Sequence, residues 1–202
     1  MNIFINKIKK QLLNLPGSKY QNLMMPSYRG NLLKAEKKLD SAVMIILHFK
    51  NNELYTSIIK RSIYDGKHSG QMALPGGKYQ ESDVNLTKTA IRETYEEIGV
   101  NIKETEILGN LTSLIIPISN ILVSPFVCLI DYNPKYNINK NEVQQIYDVP
   151  LSDFFSNKCI KTEYQYNTSV KIPYFNIQNE TVWGATAMIF SEFLEVLKRA
   201  DI

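Results

Sequence analysis

GGKYQESDVNLTKTAIRETYEEIGV, residues 76–100, decides how this chain is read. Its second half sets Arg92, Glu93, Glu96 and Glu97 among apolar residues. A helix turns by about 100° per residue, so Glu93, Glu96 and Glu97 share one face within roughly 100° of arc. Ala90, Ile91, Thr94 and Ile98 form the adjacent stripe, which a core would bury. The spacing predicts a helix over 86–98, closed by Gly99 at its C′ position. Like charges on one turn repel by about 0.3 kcal/mol per pair. Two readings account for them: a solvated acidic face, or a hard-oxygen site for Mg²⁺ or Mn²⁺ that removes the repulsion. The preceding Gly76-Gly77 pair lets backbone approach a ligand closely.

Outward from this stretch, SAVMIILHF (41–49) is a nearly continuous apolar run and reads as a strand buried on both faces. ELYTSIIKR (53–61) follows a Lys-Asn-Asn turn and reads as its hairpin partner. The glycines and prolines of 62–84 predict a loop. Further strands are expected around 105–113, 121–131 and 170–177. Loop and a short helix are expected over 139–157, and an amphipathic helix over 182–200. Near the N-terminus, Ile5, Ile8, Leu12 and Leu15 recur at helical spacing opposite Lys7, Lys9 and Lys10, up to Pro16-Gly17. This helix is read as packed on its own domain, against the alternative of lying on a membrane surface. Residues 17–38 read as an irregular connection. Irregular alternation of strands and helices predicts a mixed sheet covered by helices.

The 202 residues suit one domain with an appended arm. A net charge of +3 is too small and too scattered to indicate nucleic acid, and no basic, aromatic-interleaved surface is legible. Cys128 and Cys159 stand in no metal-type spacing and read as buried free thiols. No run of about 18 apolar residues is present, so no membrane span is expected. The N-terminal stretch lacks the apolar core of a secretory signal, and a cytoplasmic location is the expectation.

The same stretch resembles the signature of the Nudix hydrolases. Gly77, Arg92, Glu93, Glu96, Glu97, Gly99 and Val100 match it. It departs in three ways: Asp83 stands for the first glutamate, eight residues rather than seven separate it from Arg92, and Thr94 fills an apolar position. Residues 58–77, IIKRSIYDGKHSGQMALPGG, are similar to the extra motif of the coenzyme A diphosphatase branch through Arg61, Ser62, Gly70, Pro75, Gly76 and Gly77. Ile59, Gly66 and Leu74 depart from that motif, and Gly66 removes an arginine suited to a phosphate.

The resemblance implies an α+β Nudix fold, a mixed β-sheet sandwiched between helices in an α/β/α sandwich. It implies one domain over 1–202, with an N-terminal helical arm at about 1–38. It implies a divalent cation, Mg²⁺ or Mn²⁺, on Glu93, Glu96 and Glu97 with the backbone of Gly76. Glu142 is the candidate general base, with a glutamate of the helix such as Glu96 as the rival; Arg92 orients a carboxylate. Arg61, Lys67, His68, Gln71 and Gly77 are the candidate substrate contacts. For His68 a structural hydrogen-bonding role stays open, and Trp183 reads as core packing rather than ligand stacking. The implied substrate is a small nucleotide diphosphate, coenzyme A or a thioester of it, with neither nucleic acid nor membrane as partner. A homodimer is expected by likeness. The alternatives are a Nudix hydrolase of ADP-ribose, dinucleotides or nucleoside triphosphates, and a non-catalytic nucleotide-sensing module.

Overall fold

A computed structural model describes residues 2–27, 39–165 and 168–202. The expected irregular connection and arm therefore lie partly, over 28–38, outside the described residues.

Strand β1 (Leu39–Lys50) is the axis of an eight-stranded sheet. Asn51 and Asn52, both at positive φ, turn it into β2 (Glu53–Arg61), as a two-residue hairpin loop requires. Two short strands follow. β3 (Met72–Ala73) pairs with β2, and β4 (Gly76–Lys78) pairs with the first half of β1. β5 (Ile107–Asn110) and β6 (Leu114–Ile116) both lie antiparallel on β7 (Ile121–Leu129). β7 runs parallel to β1 over its whole length, which makes the sheet mixed. β8 (Val143–Pro150) closes the other side along β2. A separate antiparallel sheet is made of β9 (Lys158–Gln165), β10 (Thr168–Ile177) and β11 (Glu180–Trp183).

The apolar run in β1 is continuous because both its faces are covered. Ala42, Met44 and Ile46 pack with Ala90 and Ile98 of α3 (Leu86–Ile98). Ile45 and Leu47 belong to the opposite core, with Phe190 and Phe193 of α5 (Gly184–Arg199). The sheet thus stands between helices, as expected. α1 (Asn2–Leu12) buries Ile8 and Leu12 in that second core, and α2 (Ser18–Gln21) packs on α5. The buried Glu192 carboxylate on α5 accepts from the Gly17 N–H at 3.1 Å, Gln21 Nε2 at 2.8 Å and Thr112 Oγ1 at 2.6 Å. A buried carboxylate is tolerable only with such donors.

Four expectations change. The connection read as irregular over 17–38 holds α2 and a 3-10 turn over Asn22–Met24, too short to show helical periodicity. Residues 139–157 hold the full strand β8 ahead of the short helix α4 (Ser152–Ser156). VQQIYDVP lacks clean two-residue alternation, and its pairing with β2 is made by backbone. Residues 62–84 are not all loop, because β3 and β4 sit within them; such short strands leave no periodicity to read. Helix α5 begins at Gly184, one residue after β11, so Trp183 ends a strand. Strands β6 and β9 were not legible either: three residues and a polar run carry little signal. Of the two thiols expected to be buried, Cys128 is, while Cys159 on β9 is partly exposed.

Candidate active site

Helix α3 begins where Asn85 caps it, its side chain accepting from the Lys88 N–H at 2.9 Å. It ends where Gly99, at φ 72°, adopts the left-handed conformation. Thr94, at the apolar position of the motif, is buried and gives its hydroxyl to the Ala90 carbonyl at 2.7 Å, so it is accommodated without a stray polar group.

The three glutamates of α3 have three different environments. Glu97 is buried, 1% exposed, and accepts the Gly76 N–H at 2.8 Å. Loss of water raises its pKa to about 8, with Glu93 and Glu142 adding to the rise against the opposing pull of Arg61. Glu93 is nearly buried, and its pKa is also raised, first by burial. Glu96 is half exposed and turned to Arg92 Nη1 at 2.8 Å. One helical face therefore does not deliver three equivalent carboxylates.

The backbone beneath them explains the glycine pair. A Cβ on Gly77 would stand 2.4 Å from the Glu93 carboxyl carbon, so the bare glycine leaves room for that carboxylate. A Cβ on Gly76 would meet the Ala42 carbonyl oxygen at 2.2 Å, across the β1–β4 pairing. Gly76, expected as a backbone ligand, uses its N–H to hold Glu97. Ser41 Oγ donates to the Gly77 carbonyl at 2.6 Å.

Arg92 is anchored. Its Nε and Nη2 reach Asp83 at 2.6 and 2.9 Å, and Nη1 reaches Glu93 at 2.9 Å. Asp83 is buried and also accepts from the Gln80 N–H and Thr89 Oγ1. The bond from Arg92 holds the Asp83 carboxyl far below the usual range, and Asp83 in turn pushes the guanidinium pKa up. Between Asp83 and the Asn85 cap, Val84 points outward, 81% exposed at φ 64°.

These groups border a cavity of about 840 Å³. Glu93, Glu97 and Glu142 line it, as do Arg61, Gly76 and Gly77. Lys67, His68 and Gln71 also line it. Glu96 and Arg92 are not among its lining residues. Arg61 Nη1 stands 3.7 Å from Glu97 Oε1, and its Nε is buried without a partner. Lys67 gives its ammonium to the Ile118 carbonyl, and both residues line the cavity. His68, at φ 66°, places Nδ1 3.1 Å from Gln71 Oε1, while its buried Nε2 has no partner. Glu142 accepts from Asn139 Nδ2 at 3.2 Å.

The rest of the wall comes from distant segments that sequence reading did not assign to a site: Val43, Ile116, Pro117, Val123 and Ile189, with Trp183. Trp183 is only partly buried and faces this cavity, contrary to its reading as core. Apolar side chains of this kind carry no signal that separates a cavity wall from a core.

Whether these residues suit a divalent cation is answered by their chemistry. The donors are carboxylate oxygens, the set hard cations prefer. Glu97 is buried beside two further carboxylates, an arrangement that a nearby positive charge stabilises. Among the described residues, however, no three His, Cys, Asp or Glu side chains converge as a ready-made centre. Arg61 stands against Glu97 and Arg92 against Glu93. The donor set fits a cation, with guanidinium groups now beside the carboxylates.

The sequence profile of the NUDIX domain matches residues 38–160. Nudix hydrolase 3 of Caenorhabditis elegans is 28% identical over 207 residues, covering 93% of this chain and 82% of that protein. The peroxisomal coenzyme A diphosphatase ndx-8 of the same organism is 36% identical over 124 residues, 60% of this chain and 53% of the relative, so the match spans about half of that enzyme. Among solved structures, a MutT/nudix family protein from Enterococcus faecalis superposes with a TM-score of 0.57 at 17% identity, over 82% of this chain and 64% of that one. That likeness speaks for the fold alone.

Proposed function

The chain belongs to the Nudix family, hydrolases of phosphoric anhydride bonds, and on that premise we propose that it cleaves the diphosphate of coenzyme A or its thioesters to a phosphopantetheine and adenosine 3′,5′-bisphosphate. The observation that carries the reading is the cavity itself. Its lining combines the carboxylates of Glu93, Glu97 and Glu142 with apolar Val43, Ile116, Val123 and Ile189, and so suits a diphosphate joined to a long, weakly polar arm. The likeness to a coenzyme A diphosphatase over residues of this chain supports the same substrate.

Mg²⁺ or Mn²⁺ held by Glu93 and Glu97 would neutralise phosphate charge and make a water nucleophilic at neutral pH. The chain's own residues supply the remaining work. Arg61 pairs with a phosphate oxygen as a planar fork. Glu142, at the open end of the carboxylate cluster, takes the proton of the attacking water, with Glu97 as the rival base. Gly77 keeps Glu93 free to face the cavity, and Arg92, locked on Asp83, fixes the direction of Glu93. His68 offers its unpartnered Nε2 to the substrate while Gln71 holds the other ring nitrogen. Glu96 has a lesser part, since Arg92 turns it out of the cavity.

A second reading, hydrolysis of ADP-ribose or a dinucleotide, is favoured by one observation. Gly66 supplies no cation, and the neighbouring Lys67 is committed to the Ile118 carbonyl. The test is product chromatography with Mg²⁺ or Mn²⁺, comparing kcat/KM for coenzyme A, acetyl-coenzyme A, ADP-ribose, NADH and a nucleoside triphosphate. Coenzyme A leading, with adenosine 3′,5′-bisphosphate as product, is the expected result. A lead by ADP-ribose or NADH overturns the substrate while leaving the Nudix chemistry in place.

A further inference from the structure

The two arginines beside the carboxylates are held very differently. Arg92 makes charge-assisted hydrogen bonds to three carboxylates at 2.6 to 2.9 Å and is not free to leave. Arg61 lies 3.7 Å from Glu97, too far for a hydrogen bond, with a side chain 28% exposed and an unpartnered Nε. It stands at the end of β2 where the pairing with β8 slips between Lys60 and Arg61. Its backbone N–H is fixed to the Gln71 carbonyl at 3.0 Å, so the base of the side chain is anchored while its head is held only by the 3.7 Å ion pair. Among the described residues lining the cavity, it is the cation within ion-pair reach of a carboxylate.

We propose that Arg61 is the exchangeable cation at Glu97: it faces the buried carboxyl group while no divalent cation is bound, and turns to the substrate diphosphate when one is. This rests on Glu93 and Glu97 as the cation-holding carboxylates. The guanidinium and the divalent ion compete for Glu97, so the ion binds against repulsion from Arg61. A diphosphate that draws Arg61 away removes that repulsion, and ion and substrate then bind with positive coupling. The sign does not depend on the starting protonation of Glu97. Exchanging one proton for a divalent ion still adds a positive charge beside Arg61.

The test is Mn²⁺ binding, followed by electron paramagnetic resonance titration of the protein alone and with α,β-methylene-ADP as a non-cleavable diphosphate. Without the diphosphate, Arg61→Gln binds Mn²⁺ roughly fivefold tighter than wild type or more. With it, the gain in Mn²⁺ affinity is smaller in Arg61→Gln than in wild type. Arg61→Lys retains the charge and loses the fork, so its Mn²⁺ affinity stays near wild type while KM for the diphosphate substrate rises. Equal or weaker Mn²⁺ binding by Arg61→Gln, or tighter binding by Arg61→Lys, overturns the proposal. Glu97→Gln tests the premise by itself: unchanged Mn²⁺ affinity in that variant removes Glu97 as a cation ligand and this proposal with it, whereas a large loss upholds the premise and leaves the Arg61 variants to decide the proposal.

Discussion

At the scale of single residues, Glu97 links stability to the proposed chemistry. Its carboxyl is buried, accepts one backbone N–H and has a pKa raised to about 8 from 4.5. The folded chain therefore holds the proton more tightly than the unfolded chain. The stability this confers is full below pH 4.5 and is lost as pH rises toward 8. Glu97→Gln keeps an acceptor for Gly76 and removes the titration. In chelator, urea melts of this variant should gain on wild type by about 1 kcal/mol per pH unit across that window. Equal pH profiles would contradict the burial argument. Under the proposed function, the same variant loses at least about 100-fold in kcat, since a neutral amide holds a divalent cation poorly. The helix and its three glutamates were legible from the motif, because capping and periodicity are local. That Glu97 faces inward, Glu96 outward and Asp83 clamps Arg92 was not, because those directions are set by what packs against the helix.

At the scale of elements, the decisive piece is β4, three residues long and hidden in a stretch that reads as loop. It brings Gly76 and Gly77 under α3 by pairing with Ser41, Ala42 and Val43 of β1. The two glycines answer to different constraints and predict different outcomes. Gly76→Ala drives a methyl into the Ala42 carbonyl from a positive φ of 147°, and neither backbone can yield. A loss of more than about 3 kcal/mol in denaturant unfolding is expected. Gly77→Ala meets only the end of the Glu93 side chain, which can swing aside. That variant should fold with a cost of about 1 kcal/mol, yet lose roughly 100-fold in kcat through the displaced carboxylate. If the two variants are equally stable, the assigned pairing of β4 with β1 is wrong. β1, β2, α3 and α5 were readable within a few residues because each is long and periodic. β8 was not, because its register is imposed by β2 rather than by its own pattern.

At the scale of the whole molecule, the cavity is assembled from segments far apart in the chain, between the 41–43 stretch of β1 and Ile189 of α5. The N-terminal helix α1 takes part in the core on the α5 side, where Ile8 is fully buried with Leu12. Ile8→Ala should cost about 3 kcal/mol by cavity formation, measured in urea, with kcat/KM unchanged because Ile8 lies outside the cavity wall. A loss below roughly 0.5 kcal/mol, the level of a surface change, would mean that α1 is peripheral. Among the described residues no helix is long and apolar enough to cross a membrane. By itself the sequence determined the family, the capped helix with its acidic motif, the hairpin at the sheet centre and the chemical class of the bond attacked. The hairpin rests on the apolar and turn pattern of 41–61, the helix on the spacing within 86–99, and the family and bond class on the resemblance of 76–100 to the Nudix signature. Only the tertiary structure decided which carboxylates face the cavity, that Arg61 stands on Glu97 while Arg92 is locked to Asp83, and that apolar walls continue the site. Those facts depend on distances between residues remote in sequence, and no local pattern encodes such distances.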